Sequence, residues 1–219
     1  ALFGAIRAGL TVVNVNPLYT SHELEHQVND AGAEIIVVLE NFAQVVEHAL
    51  PKTGLKTVIV TSVGGMLGTL KGTIVDFVVR RIHRKVPAWS IAGALRFEKL
   101  VAEGRGLALR PVQVGPEDIA FLQYTGGTTG VSKGAVLTHR NMVANVLQGR
   151  AWFGAKMPER ATYGIALPLY HIFSLTANCL VFMSLGGENV LIPNPRDIPG
   201  LAKEMAKFKF TAITGVSTL

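Results

Sequence analysis

The 219-residue chain has a single cysteine, Cys179, which leaves it neither a disulfide framework nor a Cys-based zinc site. The spacing of its six histidines suggests no other metal cluster. Charged residues are scarce at 16%, against 49% apolar residues, a balance that buries a core and excludes disorder. The 23 glycines and 10 prolines follow no period, which excludes collagen-like and low-complexity readings. No internal repeat is visible, and Ala1-Leu2-Phe3-Gly4-Ala5-Ile6 lacks the basic segment and cleavage site of a secretory signal. Acidic residues number 15 against 21 Lys and Arg, a net charge of +6 that favours anionic partners: nucleic acid, anionic lipid or phosphorylated small molecules.

One long stretch, 161–187, has no charge at all. That length could span a bilayer, but Gly164, Pro168, Tyr170, His171 and Asn178 interrupt it, and a strand–turn–helix inside an α/β core is the expected form. The chain starts without Met and stops after a strand-like run, so it reads as a piece of a longer protein rather than a mature processed chain.

What is present alternates between strand and helix. Residues 11–15, 35–39 and 57–61 are apolar, β-branched runs of strand length. Between them lie helix patterns at 1–8, at 42–50 before Pro51, and after Thr20, where Thr20 and Glu23 have capping-box spacing ahead of Leu24, Val28 and Ala31. Residues 62–116 read as an insertion or linker, loosened by glycine and carrying a basic helix with Arg80, Arg81, His83, Arg84 and Lys85. Alternation resumes over 117–219. Strands are expected at 119–124, 135–138, 162–167, 189–192 and 211–214, and helices at 141–148, at 172–183 and after Asp197. Continuous apolar strands separated by amphipathic helices predict an α/β fold of mostly parallel sheets flanked by helices.

The stretch Tyr124-Thr125-Gly126-Gly127-Thr128-Thr129-Gly130-Val131-Ser132-Lys133-Gly134 concentrates four glycines, three threonines and a lysine between two strands. Glycines let backbone N–H groups approach an anion, hydroxyls add donors, and Lys133 adds a point charge. This suits a nucleoside triphosphate; the other reading is a Gly-rich hairpin with no ligand. The loop is not a Walker A motif, because Gly134 and a strand follow Lys133, and it lacks the dinucleotide fingerprint spacing.

The stretch 124–134 resembles the phosphate-loop signature of the adenylate-forming enzymes, which include acyl-CoA synthetases, luciferases and peptide-synthetase adenylation domains. The resemblance extends through Thr138-His139-Arg140-Asn141, Leu167-Pro168-Leu169-Tyr170-His171-Ile172-Phe173, Gly186-Gly187 and Thr214-Gly215-Val216-Ser217-Thr218. Asn194-Pro195-Arg196-Asp197-Ile198-Pro199 makes the chain most similar to bacterial long-chain fatty acid–CoA ligases. The resemblance implies the partial N-terminal domain of the adenylate-forming fold. It also implies a two-step reaction in which ATP and a fatty acid give acyl-adenylate and pyrophosphate, then coenzyme A displaces AMP. Carried over, Thr125, Gly126, Gly127, Thr128, Thr129, Gly130 and Lys133 hold the phosphates, and Thr125 is the protein ligand to Mg²⁺. Lys133 and His171 serve the chemistry, and His171, Ile172, Phe173, Leu175, Gly215, Val216 and Thr218 line the acyl site.

Two departures stand out: Gly126 replaces the usual Ser, and Ser174 and Leu175 occupy the region where some fatty-acid members carry a gating Trp. The family's adenine, hinge and C-terminal lysine motifs are absent, so the isolated chain is expected to be inactive. Arg80, Arg81, Arg84 and Lys85 form either a solvated face or a contact with anionic lipid, placing the protein in the cytoplasm or on the inner face of the membrane. No aromatic platform accompanies the charge, so nucleic acid is not expected. A second copy of the chain is a further candidate partner through unpaired sheet edges. The alternatives are an adenylate-forming enzyme for another carboxylate and a non-catalytic nucleotide- or lipid-binding module.

Overall fold

The computed structural model describes residues 1–125, 132–158 and 160–215. Two compact units divide the chain, one of residues 1–113 and 124–134, the other of 114–123 and 135–219.

In the first unit, α1 (Leu2–Arg7) leads to a two-residue strand, β1 (Val12–Val13), shorter than the 11–15 run, after which a turn at Pro17-Leu18 is closed by the Tyr19 N–H on the Asn16 carbonyl. Helix α2 (Ser21–Asp30) starts at the expected capping box: the Thr20 hydroxyl accepts from the Glu23 N–H, and the Glu23 carboxylate accepts from the Thr20 N–H at 2.8 Å. Strand β2 (Ile35–Leu39) follows, then α3 (Ala43–Ala49) between two 3-10 turns, and β3 (Thr57–Thr61). Next come α4 (Thr69–Phe77), which continues into a π-helical turn at Val78–Ile82, β4 (Leu95–Arg96) and α5 (Phe97–Gly104). Strands β2, β3 and β4 are parallel, in that order, with Ile35 opposite Thr57 and Ile59 opposite Leu95. Leu24, Val28, Ala43, Val46, Ala49, Val58 and Val60 form the core on one face of this sheet.

The carboxyl ends of these strands are closed by the protein's own charges. Glu40, directly after β2, is buried and takes both the Nε and an Nη of Arg80, at 2.8 and 2.7 Å. Asp76, one turn before Arg80, accepts from Ser62 Oγ (2.6 Å) and from the Gly64 N–H (2.8 Å). Glu98 accepts from Thr61 Oγ1 at 2.6 Å. Burial pushes Glu98 toward its neutral form, but hydrogen bonds from Thr61 and the backbone outweigh it and hold the carboxyl below the usual range. Helix α4 can lie this close only because Gly64 and Gly72 face each other. A Cβ on either would sit 2.3 or 2.5 Å from the other's carbonyl oxygen. The face of α4 carrying Gly72 and Asp76 is therefore turned inward, and Leu70, Ile74 and Phe77, at 57–78% exposure, are turned out.

The sequence reading grouped Arg80 with the exposed cations. The structure leaves Arg80 exposed but adds a partner, since its guanidinium is engaged by the buried Glu40 carboxylate, forty residues away in the chain. Arg81, Arg84 and Lys85 remain exposed.

Strands β5 (Ile119–Thr125) and β6 (Lys133–Thr138) flank the Gly/Thr loop and form a sheet of order β1-β5-β6; the chain passes between units within each. In the second unit, Thr138 caps α6 (His139–Phe153) through a box with Asn141. This helix outruns the 141–148 expectation because Gly149 does not end it: the helix runs through that position, where a Cβ would come within 2.7 Å of the Val181 side chain. Strand β7 (Thr162–Ile165) is central in a parallel sheet of order β8-β7-β9, with β8 (Glu188–Leu191) and β9 (Ala212–Thr214) on either side and α8 (Ile198–Lys207) between them in sequence. Tyr163 is fully buried, its ring stacked on Phe182 at 3.7 Å. The helix expected at 172–183 is there, but Ser174–Leu180 is π-helical before α7 (Val181–Ser184). The uncharged 161–187 stretch thus divides into strand and helix, and among the described residues no helix is long and apolar enough to cross a membrane.

Candidate functional site

The strongest motif, 124–134, is described at its two stems. Gly126, Gly127, Thr128, Thr129 and Gly130 lie outside the described residues, as do Val216 and Thr218. On the incoming stem, Tyr124 is buried and Thr125, the last residue of β5, is exposed. On the outgoing stem, Lys133 is the first residue of β6 and is exposed. The sequence pattern placed this strand's start at 135, so Lys133 is held by a strand and not carried on a free loop.

The stems are tied together. Ser132 Oγ donates to the Thr125 carbonyl at 2.8 Å. Gly134 lies against the Tyr124 ring, where a Cβ would come within 2.9 Å of the ring carbon that bears the hydroxyl. Alternation along β6 turns Lys133 to the opposite face from that contact. Two residues of α2 reach the same stems: Asp30 accepts from the Tyr124 hydroxyl, and His26 Nε2 lies 3.2 Å from the Ser132 carbonyl. That oxygen can only accept, so Nε2 carries the proton. Burial, then the hydrogen bond to Asp30, raises the Tyr124 pKa well above the usual phenol range, so the hydroxyl remains a donor.

In the second unit, His171 occupies the turn before the helix and is exposed. Its Nδ1 accepts from the Phe173 N–H at 3.3 Å, which leaves Nε2 of the neutral ring as the donor. Ile172 and Phe173 open the helix; Ile172 is half-buried and Phe173 is 48% exposed. Leu175 is buried and Gly215 is exposed. Ser174 Oγ donates to the Leu167 carbonyl at 2.8 Å, and the Gln123 side chain donates to the Tyr170 carbonyl at 3.1 Å, so both flanks of His171 are anchored. Sequence reasoning assigned no role to Gln123, Ser132, His26 or Asp30. The one available signal was that His26 and Asp30 share a helix face, four residues apart.

Among the described residues no cluster of three or more His, Cys, Asp or Glu could hold a metal ion. The exposed Thr125 offers a single hard oxygen donor. This is chemistry suited to Mg²⁺, which keeps several waters and takes one or two protein oxygens beside phosphates.

The "AMP-binding enzyme" family model matches residues 1–219. The long-chain-fatty-acid–CoA ligase of Escherichia coli O6:H1 is 56% identical across 100% of this chain, which spans 39% of that protein's length. Among solved structures, a long-chain-fatty-acid-CoA ligase from Archaeoglobus fulgidus aligns with a TM-score of 0.67 at 27% identity, covering 97% of this chain and 36% of that one. ATP-bound MatB from Rhodopseudomonas palustris aligns at 0.70 and 27%, covering 99% and 36%. The fold is the α/β fold of these adenylate-forming proteins. A match along its entire length makes this chain, with the loop stems and the His171 segment just described, a member of the AMP-binding enzyme family.

Proposed function

We propose that this chain is part of a long-chain fatty acid–CoA ligase. The observation that carries the reading is the 56% identity along all of its length to an enzyme of that name. In the first step a fatty-acid carboxylate oxygen attacks the α-phosphorus of ATP; the acyl–oxygen–phosphorus bond forms as the bond to pyrophosphate breaks. In the second, the sulfur of coenzyme A attacks the acyl carbon, and AMP leaves with the bonding electrons.

The Gly126–Gly130 amides, the threonine hydroxyls and Lys133 bind the β- and γ-phosphates and offset the charge that grows on departing pyrophosphate. Thr125 would hold Mg²⁺, which when bound supplies further positive charge to the phosphates. His171, with Nε2–H free to donate, hydrogen-bonds the acyl carboxylate. Ile172, Phe173, Leu175, Gly215, Val216 and Thr218 contribute to the acyl site.

The test is ATP–pyrophosphate exchange by the full-length protein with short, medium and long fatty acids. Exchange is expected with long-chain acid. Exchange restricted to an aromatic or short carboxylate would move the assignment to another adenylate-forming ligase.

The orientation of α4 favours a peripheral place at an anionic membrane. Its polar face is consumed by Asp76 and Gly72, while Leu70, Ile74 and Phe77 point outward beside Arg81, Arg84 and Lys85. Apolar insertion flanked by cations is how interfacial helices bind. In sedimentation with phosphatidylglycerol vesicles, neutralising Arg81, Arg84 and Lys85 together should weaken binding by roughly a hundredfold, at about 1 kcal/mol per cation. Equal pelleting of variant and wild type would remove the run from this role.

A further inference from the structure

We infer that α2 acts as the clamp that holds the neck of the phosphate loop closed, with Asp30 and His26 as positioning residues for ATP. The inference rests on the ligase reading for its nucleotide but not for its geometry.

Both ends of the loop are gripped from one helix face. Asp30 takes the hydroxyl of Tyr124, the residue before Thr125; His26, one turn earlier, donates to the carbonyl of Ser132, the residue before Lys133. Between these two grips, Ser132 Oγ closes the neck onto the Thr125 carbonyl. Gly134 is part of the same device, since the Tyr124 ring reaches Asp30 by passing over a position where any Cβ would collide with it.

Two further observations set this apart from incidental packing. Asp30 is the last residue of α2, where a carboxylate faces the negative end of the helix dipole; a helix selected for stability alone would favour a cation there. The partners are also 94 and 106 residues apart, so each bond closes a long loop of chain. A neck tied at both stems fixes where Thr125 enters and Ser132 leaves the loop before nucleotide arrives, which lowers the ordering cost of binding. The clamp therefore acts on phosphate binding and leaves acyl binding alone.

The experiment uses the full-length protein with Tyr124→Phe, Asp30→Ala and His26→Ala, and the conservative Asp30→Asn and His26→Gln. Hydrogen–deuterium exchange of the peptide spanning 125–134 is read first, without ligand. The clamp predicts faster exchange there in the three disabling variants, with α3 and β3 unchanged and with restoration in Asp30→Asn and His26→Gln. In the exchange assay, KM for ATP should rise about tenfold in Tyr124→Phe and Asp30→Ala, with KM for the fatty acid within twofold of wild type. The double variant Tyr124→Phe/Asp30→Ala should be no worse than either single one, because they break the same bond. Unchanged amide exchange at the neck, or equal rises in both KM values, would overturn the clamp. If wild type showed no turnover with any carboxylate, the ligase reading would fall and the amide-exchange result would still decide the clamp.

Discussion

Replacing Lys133 by alanine in the full-length protein should lower acid-dependent ATP–pyrophosphate exchange by about 10²–10³-fold, the loss typical of removing one donor aimed at developing charge. Lys133 is the first residue of β6, between Ser132, bonded to Thr125, and Gly134, packed on Tyr124. Its backbone is thus held on both sides while its side chain is exposed. An ammonium group fixed at its root and free at its tip can follow a phosphate oxygen as charge builds during departure. The kinetics separate two roles. A fall in kcat and kcat/KM together places the contact in the transition state, and a rise in KM for ATP at constant kcat makes it uniform binding. Lys133→Arg keeps the charge and should retain more activity than alanine. A loss under threefold in Lys133→Ala would take the residue out of the phosphate site.

The second large effect is on stability. Arg80→Ala should destabilise the protein by about 3 kcal/mol, measured by urea denaturation with an unchanged slope. Glu40 has only 4% of its side chain exposed and gives both carboxylate oxygens to Arg80, so truncation leaves a buried charge without its cation. The figure sits at the low end for breaking a buried pair because solvent reaches the guanidinium, 40% exposed. Arg80→Lys keeps the charge but not the two-pronged geometry and should fall between. An alanine variant as stable as wild type would make Arg80 one more surface cation beside Arg81, Arg84 and Lys85.

These two residues show what the sequence could and could not reveal. Lys133 was legible because a glycine-rich run with one lysine has few chemical uses, and the strands on both sides were visible as apolar runs. The helix starts at Thr20 and Asp197 were legible for a similar reason, since each cap depends on side chains within three residues. The ion pair of Arg80 was not legible because its partner is forty positions away, and local periodicity carries no signal of that distance. The same holds for Asp30 and Tyr124. Strand ends were misplaced by one or two residues where pairing, not composition, decides them, as at Lys133 and Gly134. The π-helical turn at Ser174–Leu180 was invisible because its buried Ser174, Thr176 and Asn178 fit an ordinary helical pattern equally well.

That turn ties the chain's length to the direction of one side chain. A π-helical turn accommodates one residue more than an α-helical turn. Relaxing this segment into an ordinary helix at unchanged length would rotate everything on its N-terminal side by about 100° and shift it by about 1.5 Å relative to α7, whereas deleting one residue between 174 and 180 as the turn relaxes would leave that side facing as it does now. His171 lies on that side, its carbonyl accepting the Leu175 N–H at 3.0 Å. Among homologues, a gap of one in this helix would therefore mark proteins that lack the π turn yet keep the direction of the histidine, and the same length wound as an ordinary helix would mark a histidine that faces elsewhere.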